Sequence, residues 1–286
     1  MIRDLVAVSR PLSWINTAYP FAAAYVLVAR EVDLVLVLGT LFFLVPYNLA
    51  MYGINDVFDY ASDLANPRKG GVEGALLDPA RHRAVLVAAA LSCAPFVVFL
   101  AIAGSPWSWA VLALSLFAVV AYSAPPFRFK EIPVLDSVTS STHFVSPAVY
   151  GVVLAGGAWD PALAAILTAF FLWGMASHAF GAVQDVVPDR EGGISSIATV
   201  LGARGTVRFA VAAWAAAGIL LATVGSPGAW AGLLVVPYLW AAWPYLNVSD
   251  AESARANRGW RRFLWINFAC GFVVTMLLIV FAIRTA

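Results

Sequence analysis

Long apolar stretches recur along the whole chain, and they constrain its fold more than any other feature. Of the 286 residues, 62% are hydrophobic and only 12% are charged. A stretch of about 20 apolar residues can cross the hydrocarbon core of a bilayer as an α-helix. The sequence therefore predicts an all-α polytopic membrane protein with about nine transmembrane helices, over 12–29, 34–54, 84–104, 107–123, 136–156, 161–183, 207–225, 228–247 and 262–283.

The basic residues are distributed unevenly among the loops. Of the 17 Lys and Arg residues, only Arg30 and Arg284 lie outside the N-terminus and the loops after the second, fourth, sixth and eighth segments. Because basic loops stay in the cytoplasm, we expect a multi-pass cell-membrane protein with its N-terminus and these loops on the cytoplasmic side. The lipid bilayer is an expected partner, and a nucleic acid is not.

Several features predict a single domain over residues 1–286. No low-complexity tail or separate soluble domain is evident. The first span is too long for the apolar region of a signal peptide, and no convincing cleavage site follows it, so we expect it to remain. Cys93 and Cys270 lie within apolar spans without the His–Cys spacing of a zinc site, and we interpret them as core residues with no disulfide.

Two acidic clusters end apolar segments of helix length. The first acidic cluster contains Asn55, Asp56, Asp59 and Asp63, and the second contains Asp185 and Asp189. A turn of about 100° per residue predicts that the members of the first cluster share one helix face. Carboxylates on adjacent turns repel one another, and oxygen ligands of this kind suit Mg²⁺ bound together with substrate phosphates. An acidic helix end in solvent is the alternative for either cluster alone, but two such clusters favour a metal–diphosphate site.

Basic side chains that could bind phosphate oxygens follow or neighbour these acids. The only two lysines each have an arginine close in sequence, and another arginine directly follows the second cluster. Both the planar guanidinium and the compact ammonium suit phosphate oxygens. The topological bias of cytoplasmic loops is the alternative explanation. The candidate diphosphate ligands are Arg68, Lys69, Arg128, Lys130 and Arg190.

A few polar residues fall at membrane depth, where burial of polar groups is costly and often functional. Asn48 lies one to two turns before Asn55 on roughly the same side, and we predict that it faces the acceptor cavity and orients the substrate. His143 and His178 lie inside apolar spans. For each histidine, a hydrogen bond between helices is the favoured interpretation, and a functional role is the alternative.

These residues together resemble a known family. The N-x-x-x-D-x-x-x-D pattern from Asn55 to Asp63, the D-x-x-x-D pattern from Asp185 to Asp189, the Tyr122 loop and the nine spans are similar to the intramembrane UbiA-type prenyltransferases. The resemblance covers nearly the whole chain. Within that superfamily, four more specific runs resemble the actinobacterial lycopene elongases of C50 carotenoid biosynthesis: 9–21, 51–60, 66–71 and 139–144.

The resemblance implies a bundle of nine helices around a central cavity with cap loops on the cytoplasmic side. It implies Mg²⁺ ligands at Asn55, Asp59, Asp63, Asp185 and Asp189, with Asp56 as a nearby helper, and the four other aspartates as catalytic residues. It also adds Tyr122 to the diphosphate ligands. One departure is that many relatives have a lysine just after the second motif, where this chain has Ser195 and Ser196.

The implied reaction is Mg²⁺-dependent transfer of the C5 group of dimethylallyl diphosphate to the ends of lycopene. Neutralisation of the diphosphate favours ionisation to an allylic cation, which the acceptor double bond attacks. Prenylation of a quinone precursor or another lipophilic acceptor is the alternative within the same mechanism. A membrane transporter is the alternative of another class, because carboxylates at membrane depth also mark ion pathways. No residue in the sequence identifies itself as the base that completes the reaction.

Overall fold

The computed structural model describes residues 1–65 and 76–284, and the chain is helical with no β-strand within these ranges. The α-helices in order are α1 (Ile2–Val8), α2 (Ile15–Ala29), α3 (Leu34–Leu44), α4 (Pro46–Phe58), α5 (Tyr60–Ala65), α6 (His82–Ala103), α7 (Pro106–Ser123), α8 (Leu135–Leu154), α9 (Pro161–Ala182), α10 (Val186–Glu191), α11 (Ile197–Ala222), α12 (Val235–Ala242) and α13 (Asn257–Arg284). The predicted all-α class is confirmed.

Seven helical stretches in the described part of the chain are long and apolar enough to cross a membrane: Pro11–Ala29, Leu34–Phe58, Pro79–Ala103, Pro106–Ser123, Pro161–Glu191, Ile197–Ala222 and Asp250–Arg284. The other two predicted spans are also helical. The segment predicted at 136–156 forms α8, and the one predicted at 228–247 is divided into the 3-10 turn Gly228–Leu234, α12 and the 3-10 turn Trp243–Tyr245. The chain is thus a multi-pass helical membrane protein.

The chain forms two compact units. Unit 1 comprises Met1–Phe129 and Thr142–Ala158, and unit 2 comprises Lys130–Ser141 and Trp159–Ala286. The first acidic cluster belongs to unit 1 and the second to unit 2. Each unit has its own core of buried side chains.

The second span is interrupted where α3 gives way to α4. Pro46 occupies the first position of α4 and cannot donate a backbone hydrogen bond, so carbonyl groups at the end of α3 lose their helical partners. The Nδ2 of Asn48 donates to the carbonyls of Phe43 and Leu44, at 2.8 and 3.1 Å. It also donates to Oγ1 of Thr17 on α2 at 2.7 Å. Asn48 therefore joins α2 to the break in the second span.

Aromatic rings fill the core of unit 1. Phe21, Phe42, Phe43, Tyr47 and Tyr150 are fully buried. Their ring centroids lie between 4.9 Å (Phe42–Phe43) and 6.0 Å (Phe21–Tyr150) apart. Contacts of this kind add to the free energy gained by removing the rings from a polar environment. This cluster anchors α2, α3, α4 and α8 to one another below the end of α4.

Unit 2 has a second aromatic core, in which Trp214 of α11 is fully buried. Tyr238 and Phe263 stack on it at centroid distances of 5.6 and 6.0 Å. At Gly259, a Cβ atom would lie 2.8 Å from the ring of Phe180, so α13 can approach α9 closely only with glycine there. The close approach fixes α13 against α9, the helix that leads into the second acidic cluster.

The helix α11 contains a sharp change of direction near its start. Gly202 has φ 69° and ψ 168°, a conformation that favours glycine. Asp250 compensates for the break, because its Oδ1 accepts a hydrogen bond from the Ala203 backbone N–H at 2.7 Å. The sequence predicted a span beginning at 207, whereas the helix begins at Ile197, since Ser196 and Thr199 form a capping box there.

Candidate functional site

The end of α4 brings Asn55 and Asp59 together. Asp59 directly follows the last residue of α4, so the chain turns there before α5 begins. The Asn55 Nδ2 donates a short hydrogen bond to Asp59 Oδ2, and it also donates to Oγ of Ser123 at 2.9 Å. Asp59 is buried, with 4% of its surface exposed. The pair is therefore held in one arrangement by α7, the helix that ends at Ser123.

Arg128 completes this part of unit 1. One of its terminal nitrogens, Nη2, lies 4.0 Å from Asp59 Oδ1. The other, Nη1, contacts the carbonyl oxygen of Ser123 at 3.4 Å. The backbone of Arg128 has φ 43°, in the left-handed region that non-glycine residues rarely adopt. A cationic group thus faces the buried carboxylate, as the predicted diphosphate site requires.

Asp56 is separated from the rest of the first acidic cluster. Its side chain is completely buried, and its Oδ1 accepts a hydrogen bond from Arg10 Nη2 at 2.6 Å. The Arg10 guanidinium also lies over the ring of Tyr52, 4.2 Å from the centroid. The prediction that the whole cluster shares one face does not describe Asp56, because one residue of helix rotates it about 100° from Asn55 and toward Arg10.

The rest of the predicted first half lies partly outside the described residues. Arg68 and Lys69 fall in the range 66–75, which the structure does not describe. Asp63 lies on α5, and its side chain is not described. Tyr122, in the last turn of α7, packs its ring edge-on against the ring of His143 at 5.3 Å. Tyr122 directly precedes Ser123, whose hydroxyl accepts the hydrogen bond from Asn55.

The second acidic cluster lies where α9 ends. Asp185 closes the 3-10 turn Val183–Asp185, and Asp189 lies on α10, so both follow directly from the apolar span. Both side chains are half-buried. Gln184 fixes the turn, because its Nε2 donates to the Gly181 carbonyl at 2.9 Å while its Oε1 accepts from Asn257 of α13 at 2.5 Å. Lys130 lies in the 3-10 turn Phe129–Glu131 and belongs to the same unit.

Arg190 is engaged in contacts that differ from its predicted role. Its Nη1 donates to Asp250 Oδ2 at 2.6 Å, and its Nε and Nη2 donate to the Thr199 carbonyl at 3.0 and 2.7 Å. Two of these three hydrogen bonds join α10 to the beginning of α11, and the third joins α10 to the 3-10 turn that begins at Asp250. In this structure Arg190 stabilises the loop after the second cluster.

Asn48 also has a structural environment. It is completely buried, and its amide nitrogen makes the three hydrogen bonds that join α2 to the break between α3 and α4. These contacts give Asn48 a structural role in holding the helices together. Its Oδ1 is buried without a hydrogen-bond partner among the described residues, and the predicted contact of Asn48 with the acceptor stays a prediction.

Sequence reasoning missed two residues of the site. Ser123 positions Asn55, and Arg10 neutralises Asp56. Their partners lie 68 and 46 residues away in the chain, so no helical periodicity could have found them. The only sequence signal was that Arg10 and Asp56 are charged residues bordering apolar spans.

The side-chain oxygen atoms of Asn55 and Asp59 at the end of α4 suit a hard divalent cation. Carboxylate and carboxamide oxygens are the ligand types that Mg²⁺ takes in proteins. Among the side chains that the structure describes, no group of three His, Cys, Asp or Glu residues lies close enough to hold a metal ion. Asn55 does not count toward such a group because asparagine is not one of these four residue types, and the Asp63 side chain is not among those that the structure describes.

The fold and these sites define a class of protein, a multi-pass helical membrane enzyme with paired acidic helix ends. The chain belongs to the UbiA prenyltransferase family, whose family model matches residues 17–268. It is therefore a prenyltransferase.

Individual relatives cover nearly all of the chain. It is 52% identical over 278 residues to a lycopene elongase/hydratase of Corynebacterium glutamicum, covering 97% of each protein. It is 56% identical over 272 residues to the C(50) beta-cyclic carotenoids biosynthesis protein of a Dietzia strain. That match covers 95% of this chain, but the chain spans only 63% of the length of the Dietzia protein.

The fold also matches solved structures. One is a UbiA homolog from Archaeoglobus fulgidus bound to DMAPP and Mg²⁺, with a TM-score of 0.66 and 21% identity. The match covers 93% of this chain and 98% of the other. Another is the apo structure of a UbiA homolog from Aeropyrum pernix K1, with a TM-score of 0.65 and 23% identity. Matches at this identity establish the fold.

Proposed function

We propose that this protein transfers the C5 group of dimethylallyl diphosphate to the ends of lycopene, with Mg²⁺ as cofactor. The observation that carries the site is the buried Asn55–Asp59 pair, held by Ser123 and faced by Arg128 at the end of an apolar span. The choice of lycopene as acceptor is supported by the Corynebacterium relative, which is named for lycopene elongation and hydration.

The metal ligands in this proposal are Asn55, Asp59 and Asp63 in unit 1 and Asp185 and Asp189 in unit 2. Bound Mg²⁺ supplies neutralisation of the charge on the leaving diphosphate. Asp56 is omitted from the ligands, because its carboxylate is completely buried against Arg10. A carboxylate already neutralised by a guanidinium has less negative charge to offer a cation.

The protein residues contribute orientation and charge. Ser123 holds the Asn55 amide, which in turn holds Asp59, so the carboxylate is oriented before substrate binds. Arg128 and Lys130 donate to the diphosphate oxygens, with Arg68 and Lys69 of the undescribed range as further donors and the Tyr122 hydroxyl beside them. These groups favour departure of the diphosphate and formation of an allylic cation.

The acceptor reaches the reacting carbon from the apolar side. Lycopene is long, apolar and uncharged, so no basic residue is needed to hold it, and its tail stays in an apolar groove or in the bilayer. Attack by its terminal double bond leaves a cation on the acceptor. Loss of a proton then gives an alkene, and capture of water gives an alcohol, as the name of the Corynebacterium relative indicates for that protein.

The proposal extends to the placement of the protein in the cell. We infer that residues 1–286 act as one catalytic domain in the cell membrane, with the N-terminus and both acidic clusters in the cytoplasm. The distribution of Lys and Arg among the loops supports this orientation.

The test is a competition among donors and acceptors. Membranes that contain the protein are supplied with Mg²⁺, labelled dimethylallyl or geranylgeranyl diphosphate, and either lycopene or a hydroxybenzoate, and the extracted pigments are separated. Membranes that contain Asp59→Asn serve as the control for background transfer. We expect label in longer carotenoids from the C5 donor only. Preferential prenylation of the hydroxybenzoate by the long donor would replace lycopene with a quinone precursor, and ion flux without transfer would indicate a transporter.

A further inference from the structure

Unit 2 contains a buried carboxylate that the proposed metal chemistry does not use. Asp136, at the start of α8, is completely buried. Its Oδ1 accepts a hydrogen bond from the Ser137 backbone N–H at 2.6 Å, and its Oδ2 accepts one from the Ile197 N–H at 2.7 Å. The second contact satisfies a backbone donor in the first turn of α11. An ionisable group is costly at such a position unless it is paired, which makes its partners informative.

One of those partners is a histidine on α9. The Nε2 of His178 lies 3.7 Å from Asp136 Oδ2, and the His178 side chain is 19% exposed. A carboxylate beside one imidazole nitrogen favours the tautomer with the hydrogen on that nitrogen, which leaves Nδ1 as the proton-accepting atom. The carboxylate also fixes the orientation of the imidazole ring.

His178 lies on the same side of its helix as the second acidic cluster. Seven residues separate it from Asp185, and the helix continues between them through the 3-10 turn Val183–Asp185. Seven residues correspond to nearly two full turns, so the two side chains differ by about 20–40° in direction and by about 10 Å along the axis. The imidazole is therefore within the apolar span, while Asp185 is at its charged end.

This position suits the last step of the reaction. Ionisation takes place at the charged end, and the cation left on the acceptor forms on the carbon next to the new C–C bond, on the apolar side of the reacting carbon. On the basis of the proposed function, we propose that His178, oriented by Asp136, accepts the proton that this cationic adduct must lose. His178 is then a catalytic residue, and Asp136 is its positioning residue.

The allylic C–O bond breaks and its electron pair leaves with the diphosphate, and the π electrons of the acceptor double bond form the new C–C bond. The electron pair of a C–H bond next to the cationic carbon of the acceptor then forms a new double bond, while the proton of that bond passes to Nδ1 of His178. If water adds to the cation instead, the proton lost by that water passes to the same nitrogen and the product is an alcohol.

The experiment separates donor ionisation from completed transfer in His178→Asn. Hydrolysis of labelled dimethylallyl diphosphate without acceptor measures ionisation, and labelled carotenoid measures transfer. A general base contributes about 10²–10⁴-fold, so transfer should fall about 100-fold or more while donor hydrolysis changes less than about threefold. Asp136→Asn should show the same split with a smaller loss, of about tenfold. His82→Asn, at a histidine bonded to the Leu77 carbonyl, is the matched control and should leave both rates unchanged.

Further measurements exclude a merely structural role. Added imidazole should restore part of the transfer by His178→Ala, since a small base can occupy the vacated space, and the thermal midpoint of each solubilised metal-free variant reports folding. Equal loss of hydrolysis and transfer, undiminished transfer, or failure of imidazole to rescue a folded variant would overturn the proposal. Wild-type membranes that ionise the donor but extend no lycopene would overturn the proposed function, and this proposal with it.

Discussion

The two acidic clusters are built differently, although their sequences look alike. In unit 1, Asn55 and Asp59 are fixed by Ser123, and the Arg128 guanidinium faces the carboxylate. In unit 2, Asp185 and Asp189 are half-buried, and the adjacent Arg190 is bound to Asp250 and the Thr199 carbonyl. A basic residue next to an acidic motif can therefore stabilise its own loop instead of binding the substrate.

The largest effect should come from the carboxylate at the end of α4. Asp59→Asn keeps the shape of the side chain but removes its charge, so transfer should fall more than about 100-fold, beyond the loss typical of residues that only orient metal ligands. The measurement is the transfer rate as Mg²⁺ is titrated. Asp185→Asn provides the comparison with unit 2. Normal rates and normal Mg²⁺ dependence in Asp59→Asn would remove the metal assignment from the first acidic cluster.

The second-largest effect should be the difference in donor kinetics between variants of Arg128 and Arg190. Arg128→Gln should weaken use of the donor by about 10- to 100-fold, because a charge-assisted hydrogen bond contributes about 1.5–3 kcal/mol. Arg190→Gln should change donor kinetics less than about threefold and lower stability by about 1 kcal/mol, as expected for an exposed ion pair. Steady-state kinetics with varied donor and thermal unfolding distinguish the two. A larger donor defect in Arg190→Gln would reverse the comparison.

Asp56 should affect folding more than transfer. Removing one partner of a buried ion pair costs about 3–5 kcal/mol, so Asp56→Asn should lower the thermal midpoint strongly. Its transfer rate per folded molecule should fall less than about tenfold, because the residue only supports the end of α4. The combined variant Arg10→Gln with Asp56→Asn should lose less stability than the two single variants added together. Additive losses would mean that the pair is not coupled.

The smallest effect should come from Ser123→Ala. It removes the hydroxyl that accepts from Asn55, a contact that contributes about 0.5–1.5 kcal/mol, so transfer should fall about threefold. Ser115→Ala, elsewhere on the same helix and bonded to the Ser146 hydroxyl, is the matched control for loss of a hydroxyl from α7. The comparison is the ratio of transfer rates at saturating donor. Equal rates in the two variants would show that Ser123 does not position Asn55.

The helical architecture was predictable because apolar length and charge placement are local properties of the sequence. Seven of the predicted spans meet the membrane criteria in the described residues, and the break at Pro46 has an evident proline signal. The bending of α11 at Gly202 was not predicted, because it depends on Asp250, which lies 47 residues from the Ala203 N–H that it caps.

The site was predictable in its residue types but not in its pairings. Helical spacing predicted that Asn55 and Asp59 would meet, and the structure brings them into contact. The same spacing grouped Asp56 with them, since a count of residues carries no information about the Arg10 side chain that reaches it from before α2. The environment of Asn48 was decided by the carbonyl groups of Phe43 and Leu44, which lose their helical partners at the break before Pro46. That of Arg190 was decided by the Thr199 carbonyl and by Asp250, which lies 60 residues away in the chain.

The most direct test of the central claim locates the metal itself. Crystals grown with Mn²⁺ in place of Mg²⁺ and with a thiolodiphosphate analogue of the donor, which ionises slowly, can be measured for anomalous scattering. The account predicts Mn²⁺ within ligand distance of Asp59, with the Arg10–Asp56 ion pair intact. Manganese bound to Asp56 with Arg10 displaced, or no manganese at the end of α4, would contradict it.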